Sequence, residues 1–242
     1  DGIYPGERLL KEWPENGPRL IWQAEGLGEG YSSAAVTADR VYLTGMIKGE
    51  GFLFAFDTQK TPLWTSSYGR EWSGSHPGAR TTPTVVGDRV YVMSAVGRVV
   101  CFETAEGKSV WAVDLAEEFG ARNLQWGMTE SLLVDGDRVF CTPGGRNVMV
   151  AALDRHTGRT IWKIKGNGET SGYCSPRIVE HGSRRLLITM SQRSLVGLDA
   201  ETGEYLWKQS HVTDYDVNAN TPIYRDGEVF TVSGYGTGSQ LF

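Results

Sequence analysis

Ala152-Leu153-Asp154-Arg155-His156-Thr157-Gly158-Arg159-Thr160-Ile161-Trp162 is the stretch that decides the fold, because the chain repeats it. Gly197-Leu198-Asp199-Ala200-Glu201-Thr202-Gly203-Glu204-Tyr205-Leu206-Trp207 puts a small residue, an apolar residue, Asp, Thr-Gly and a closing Trp at matching positions. Cys101-Phe102-Glu103 through Gly107 to Trp111 is a looser copy. Ala55-Phe56-Asp57 through Leu63-Trp64 is another, one residue shorter and without the Gly. Trp22 closes a still earlier unit. The Trp residues fall 42, 47, 51 and 45 positions apart, and a period in the forties with strand-like content marks a repeat architecture.

Each unit also has a front half. Ser33 to Gly45, Thr82 to Ser94, Ser131 to Cys141 and Thr221 to Thr231 each read as a β-branched or aromatic run, a Gly/Asp turn and a second such run. That pattern predicts a tight hairpin, since Gly and Asp tolerate the positive φ such turns need. A third strand carries the small-apolar-Asp segment (Val99 to Glu103, Val148 to Asp154, Ser194 to Asp199), and a fourth ends at the Trp. Four antiparallel strands per repeat, arranged radially, predict an all-β propeller. Helical turns are expected only at Gly6 to Trp13 and Leu115 to Gly120.

The repeated residues have a structural logic. Trp offers a broad flat face and one N–H donor. The small residue two positions before the Asp (Ala55, Cys101, Ala152, Gly197) leaves room for a ring to lie flat, and Asp and Thr can bond backbone groups within the turn. These residues are expected to join blades rather than to do chemistry.

The Ala-x-Asp-x-x-Thr-Gly-x-x-x-Trp pattern, cleanest at Ala152 to Trp162, resembles the tryptophan-docking repeat of pyrroloquinoline-quinone (PQQ)-like β-propellers from about Leu20 to the C-terminus. That superfamily includes quinoprotein alcohol dehydrogenases and cofactor-free BamB-like members. The resemblance implies a ring of seven or eight blades, of which about five blades' worth is present, and a bacterial periplasmic or cell-surface location. It fixes fold rather than chemistry, because one fold hosts many functions.

Length alone would suit one or two domains, but the repeat favours one: a propeller over 20–242, incomplete at its C-terminus, with a leader over 1–19 packing on it. The next closing Trp is due beyond Phe242, and Gly236 to Phe242 reads as a third strand cut short. An open arc exposes sheet edges. Closure is therefore expected to come from further blades or from a second copy. Apolar content of 40% with 11% aromatics suffices for a packed core. A net charge of −5 without a basic stripe argues against nucleic acid, and no apolar run approaches the roughly 20 residues of a membrane-spanning helix. Cys101, Cys141 and Cys174 are too few for a disulfide framework, although a single bridge stays open.

In a propeller the loops entering the innermost strands converge on one mouth of the central channel. Here they are 29–33, 70–83, 121–131, 168–176 and 212–222, and they differ from the repeat and from one another. They gather Arg80, Asn123, Trp126, Glu130, Tyr173, Asn218 and Asn220, a mixture of rings, amides, one cation and one carboxylate that suits a ligand pocket. A protein or small-molecule ligand is the expected partner, and no cofactor is assigned. The resemblance also implies an alternative, a PQQ- and calcium-dependent alcohol dehydrogenase whose remaining ligands lie outside this chain. In that reading Glu130, Asn123, Asn218, Asp214 and Asp216 supply oxygens, Trp126 a stacking floor and Arg80 a quinone partner. No two cysteines are adjacent, unlike the disulfide of the quinoprotein dehydrogenases. The four histidines are scattered, with His76 and His211 in pocket-side loops lacking a Cys or His partner, which disfavours zinc. Gly-x-Ser-x-Gly is absent, and the Gly-x-Gly stretches lack a following helix. The reading is a non-catalytic PQQ-like propeller serving as a binding or assembly platform in the bacterial cell envelope.

Overall fold

A computed structural model describes residues 11–242. Antiparallel sheets follow one another along the chain, each built from consecutive strands. The first is β1 (Ala35–Val36), β2 (Arg40–Ile47), β3 (Glu50–Asp57) and β4 (Pro62–Arg70). The second is β5 (Thr84–Val86), β6 (Arg89–Met93), β7 (Arg98–Glu103) and β8 (Ser109–Asp114). A short helix, α1 (Leu115–Phe119), is capped by the Asp114 side chain at its start and by left-handed Gly120 at its end. The third sheet is β9 (Leu133–Asp135), β10 (Arg138–Cys141), β11 (Ala151–Asp154) and β12 (Thr160–Lys163). The fourth is β13 (Arg177–His181), β14 (Arg184–Met190), β15 (Ser194–Asp199) and β16 (Tyr205–Ser210). The last holds β17 (Ile223–Arg225), β18 (Glu228–Ser233) and β19 (Gly238–Leu241).

The expected strands form, with local trimming. Residues 148–150, read as part of the third strand of their unit, precede β11, yet Met149 N–H still donates to Ile164 O (3.0 Å) and Ile164 N–H to Val150 O (3.0 Å). The helical turn expected at Gly6 to Trp13 and the leader over 1–19 lie outside the described residues as far as residue 10. The open question of a bridge closes: Cys101, Cys141 and Cys174 are free and buried.

The core is a series of apolar slabs, one between each pair of neighbouring sheets. On β10, Val139 faces the second sheet with Tyr91, Cys101 and Trp111, while the next residue, Phe140, faces the fourth with Leu187 and Leu198. Successive side chains leave a strand on opposite faces. Strands covered on both sides therefore need unbroken apolar runs, such as Val99-Val100-Cys101-Phe102, rather than alternation.

The repeated motif locks neighbouring sheets together. In the first sheet Tyr42 pairs with Ala55 and Ala55 with Trp64, so a small residue sits between two rings whose centroids are 5.8 Å apart. Tyr91, Cys101 and Trp111 repeat this row at 6.0 Å, and Phe140, Ala152 and Trp162 at 5.8 Å. In the fourth sheet Gly197 lies directly under Trp207, where a Cβ would meet Cε2 at 2.1 Å. The other side of each Trp meets the turn of the following sheet. Trp64, Trp111 and Trp162 lie against Gly107, Gly158 and Gly203, whose φ values of 69°, 72° and 75° only glycine adopts freely. Each indole N–H also donates into that turn: Trp64 to Thr104 O (2.9 Å), Trp111 to Arg155 O (2.9 Å) and Trp162 to Ala200 O (3.2 Å). Trp22 does the same to Thr58 O (3.2 Å). Asp154 and Asp199 hold their turns by accepting from two backbone N–H groups and the Thr hydroxyl.

A second ladder joins the inner ends of the sheets. Ser33 N–H donates to Thr82 Oγ1 (3.1 Å), Thr82 N–H to Ser131 Oγ (3.0 Å) and Ser131 N–H to Ser175 Oγ (3.0 Å); Thr221 Oγ1 donates to Ser175 O (3.1 Å). One hydroxyl per repeat thus ties each innermost strand to the next.

Trp111→Ala removes a buried ring and its hydrogen bond at one sheet junction. It should cost about 3–5 kcal/mol, read as a fall in the chemical-denaturation midpoint. A loss below about 1 kcal/mol would show that the ring does not carry the junction. Burial also pushes the Cys174 thiol up to about 11 and the Cys101 thiol up to about 12. No thiol should react with a disulfide reagent at neutral pH until denaturant exposes all three; rapid labelling of the native chain would contradict this burial.

Candidate functional site

The antiparallel order of strands brings every loop that enters an innermost strand to the same end of its sheet, so chain direction alone gathers 29–33, 70–83, 121–131, 168–176 and 212–222. The loops are also bonded to one another. Tyr31 N–H donates to Ala79 O (2.7 Å), Thr129 Oγ1 to Tyr173 O (2.6 Å) and Tyr173 N–H to Asn218 O (3.0 Å). Gly78 permits the first approach, since a Cβ there would lie 2.8 Å from the Glu29 carbonyl.

Where they meet, Tyr31, Arg80, Trp126, Thr129, Tyr173 and Tyr235 line a cavity of about 390 Å³. The walls are mostly ring faces. Trp126 and Tyr173 are tilted against each other at 5.9 Å, and Tyr235 packs edge-on to Tyr215 at 4.9 Å. Arg80 supplies the cavity's charge. Its guanidinium carbon stands 5.4 Å from the centre of the Tyr31 ring, and Nη2 donates to Ser75 O (3.2 Å) and His76 O (2.5 Å). Its Nε is buried without a partner among the described residues. The chemistry on offer is stacking plus a cation with an unused donor, a combination suited to a flat or apolar group bearing an acceptor.

Three of the seven residues singled out from sequence, Arg80, Trp126 and Tyr173, meet in this cavity. The other four lie elsewhere. Asn123 is exposed and its Oδ1 accepts from the N–H of Leu124 (2.9 Å). Asn220 donates to Val232 O (2.9 Å). Asn218 is wholly buried, its Nδ2 donating to the carbonyls of Ser191, Gln192 and His211. Glu130 is buried in the α1–β9 loop, where one oxygen accepts from Thr142 N–H (3.0 Å) at the end of β10 and Oε1 has no partner among the described residues. Burial pushes its carboxyl up to about 8, so it is largely protonated at neutral pH. Tyr31 comes from the lead into β1 and Tyr235 from the loop after β18; only the assembled arc shows that they share a cavity with Arg80.

Glu130 belongs to a recurring device. Glu71 accepts from Ala95 N–H (2.7 Å), Trp72 N–H (2.8 Å) and the Tyr68 hydroxyl (2.8 Å). Glu169 accepts from Ser191 and Ser194. In each case a loop carboxyl reaches across to fasten the following sheet.

His211 is likewise structural. The three carbonyl partners of Asn218 Nδ2 fix that amide so that Oδ1 accepts the Ser233 hydroxyl proton (2.9 Å). Ser233 Oγ lies 2.9 Å from His211 Nε2, and Nδ1 of the same imidazole lies 2.6 Å from Gln240 Oε1, so both ring nitrogens are engaged within the fold. Among the described residues no three His, Cys, Asp or Glu side chains are placed to hold a metal ion.

The implied calcium and quinone can be tested on these contacts. Calcium takes six to eight oxygens. Asn218 Oδ1 accepts from the Ser233 hydroxyl (2.9 Å), Asn123 Oδ1 from Leu124 N–H (2.9 Å), Asp216 is paired with Arg193 (2.8 Å), and Glu130 is a buried, largely protonated acid, which leaves Asp214, exposed and without a hydrogen bond or ion pair among the described residues. This donor set does not fit calcium. The ring faces of Trp126 and Tyr173 do fit a flat group.

A family model described as "Outer membrane protein assembly factor BamB" matches residues 49–241. The outer membrane protein assembly factor BamB of Kangiella koreensis is 28% identical over 211 residues, covering 85% of this chain and 49% of that protein. The quinoprotein ethanol dehydrogenase of Pseudomonas aeruginosa is 27% identical over 164 residues, covering 63% of this chain and 26% of that enzyme. Among solved structures, BamB from Moraxella catarrhalis superposes with a TM-score of 0.53 at 15% identity, covering 86% of this chain and 56% of that one. The chain therefore spans between a quarter and a half of the length of these two sequence relatives.

The burial of Glu130 has a pH consequence. Its folded carboxyl titrates near 8 against an ordinary 4.5, so the folded state holds the proton over that window while the unfolded state releases it. The stability this group contributes is complete below about 4.5 and is lost as pH rises through 8. Glu130→Gln should flatten that decline, by on the order of a few kcal/mol between pH 5 and 8. Parallel stability–pH curves for parent and variant would show that the carboxyl is not held neutral.

Proposed function

The chain belongs to the PQQ-like β-propeller family whose model carries the BamB description, and from that premise we propose that it is a non-catalytic binding or assembly platform in the bacterial cell envelope. The observation that carries this reading is the chemistry of the channel mouth. Ring faces from several sheets surround one cation with an unused donor, while Glu130, Asn218 and His211 nearby are spent on holding the sheets together. Tyr31, Tyr215 and Tyr235 stand 61%, 62% and 56% exposed. Aromatic side chains of that kind, grouped around an Arg, have the composition of a protein-recognition surface. The relatives named as assembly factors support the same role.

A second reading is a quinoprotein alcohol dehydrogenase completed by residues outside this chain. It is favoured by the flat ring surfaces beside Arg80 and by the similarity to a quinoprotein ethanol dehydrogenase. Most of its calcium oxygens must come from elsewhere, since of the five donors named in these loops only Asp214 is left unengaged among the described residues.

Two measurements separate the readings. A photo-crosslinking residue at Tyr31 or Tyr235 should capture a protein in envelope fractions, whereas one at Tyr205 on β16 should not. Arg80→Ala and Trp126→Ala should each reduce capture by roughly 10-fold, as hot-spot truncations do. Equal capture from all three positions would remove the platform reading. Quinone absorbance retained after the protein is titrated with PQQ and Ca²⁺ and desalted would establish the second one.

A further inference from the structure

A second cleft, of about 650 Å³, opens between the third and fourth sheets. Arg146 comes from the β10–β11 connection, Lys165 from the β12–β13 loop, and Arg193 from the β14–β15 turn. By the antiparallel order these three connections lie at the same end of the sheets as the channel-mouth loops.

The charges of this cleft do not cancel. Glu169 is paired with Lys208 (2.5 Å) and also accepts from Asn167 (3.0 Å) and from Ser194 (3.0 Å). Arg193 is held by Asp216 through Nε (2.8 Å) and Nη2 (3.3 Å), and Gln192 adds a bond to the same carboxylate (2.5 Å). Both acidic groups are thus spent on cations of their own. Arg146 and Lys165 are exposed and make neither an ion pair nor a side-chain hydrogen bond among the described residues. Two unit positive charges are left facing one space on a chain whose net charge is −5.

The frame carrying them is fixed. Gly145 N–H donates to Glu169 O (2.6 Å) and Gly168 N–H to Gly145 O (3.1 Å). A Cβ on Gly166 would lie 1.8 Å from Gly145 O, so the two loops meet backbone to backbone with no room for a side chain. The Arg146 stem lies over Gly168, its Cγ 3.8 Å from where a Cβ would stand. A pre-ordered frame lowers the entropy cost of holding the cations in place for a ligand.

We propose that this cleft binds an acidic peptide segment of a partner protein, with one carboxylate taken by the Arg146 fork and a second by Lys165. A guanidinium accepts a carboxylate through two parallel N–H···O bonds, and an ammonium serves as a point charge beside it. Net negative charge repels a dense polyanion such as nucleic acid or a strongly anionic membrane. Two carboxylates on a peptide need only short-range contact, and an open cleft of this size admits a few residues of extended chain. The assignment stands independently of the aromatic cavity at the channel mouth.

The test uses the full chain and a fluorescein-labelled peptide, Gly-Glu-Asp-Gly-Asp-Glu-Gly, followed by fluorescence anisotropy. Binding should weaken as salt is raised, and each of Arg146→Gln and Lys165→Gln should weaken it roughly 3- to 10-fold. Arg98→Gln, at an exposed arginine on β7, should leave it unchanged. The matched peptide with Gln and Asn in place of Glu and Asp should not bind. Both cleft substitutions keep an aliphatic stem on the surface, and unchanged far-UV circular dichroism is expected for them. The proposal is overturned if the uncharged peptide binds equally well, or if neither substitution changes affinity. It is also overturned if equimolar inorganic phosphate displaces the peptide, which would make the cleft a simple anion site. A single-stranded oligonucleotide binding more tightly than the peptide would overturn it as well.

Discussion

Everything in this structure depends on an indole ring held between two sheets. On one side the ring lies over a small residue of its own sheet, and on the other it presses on a left-handed glycine of the next. Its N–H closes the contact by donating to a carbonyl in that turn. Both faces and the edge of the ring are therefore used. The contact needs a small residue, a glycine and a free carbonyl at fixed positions, which is why those residues recur together. Large side chains at Ala55, Cys101 or Ala152 would part the two rings that close over them, and sheet-to-sheet spacing would change with them.

A contact that defines each junction so tightly leaves the other end of the sheets free to vary. The inner hydroxyl ladder of Ser33, Thr82, Ser131 and Ser175, the buried carboxyls of Glu71 and Glu130 and the half-buried one of Glu169 hold that end together. With the loops anchored at their bases, their tips can carry rings and charges without a structural duty. Tyr31, Arg80, Trp126, Tyr173 and Tyr235 meet there, and Arg146 and Lys165 stand on the rim. The fold thus separates its labour: repeated residues near one end of the blades build it, and unrepeated ones at the other end are free of that duty.

This separation also explains which candidate residues were legible. Arg80, Trp126 and Tyr173 stand out because rings and an isolated cation in otherwise unlike loops have no periodic role to absorb them. Glu130 and Asn218 stand out for the same reason, yet both are absorbed by structure. A buried carboxyl and a buried amide satisfy backbone groups of a neighbouring sheet, a need that is invisible until that sheet is placed. The hydroxyl ladder could have been found by aligning the repeats, since its members share one register ahead of each innermost strand.

By itself the sequence determined the all-β class, the strand order within each sheet and the role of the recurring Trp. Those follow from local periodicity and from turn residues whose φ preferences act within a few positions. Tertiary structure alone decided which loop residues share a cavity, which carboxyls are neutral and which cations keep their charge unpaired. Each of those depends on groups brought together from different sheets or loops, as with Asp216 and Gln192, 24 positions apart, or Tyr31 and Tyr235 in one cavity. Burial, pairing and desolvation are properties of the assembled arc, and no window of the chain contains them.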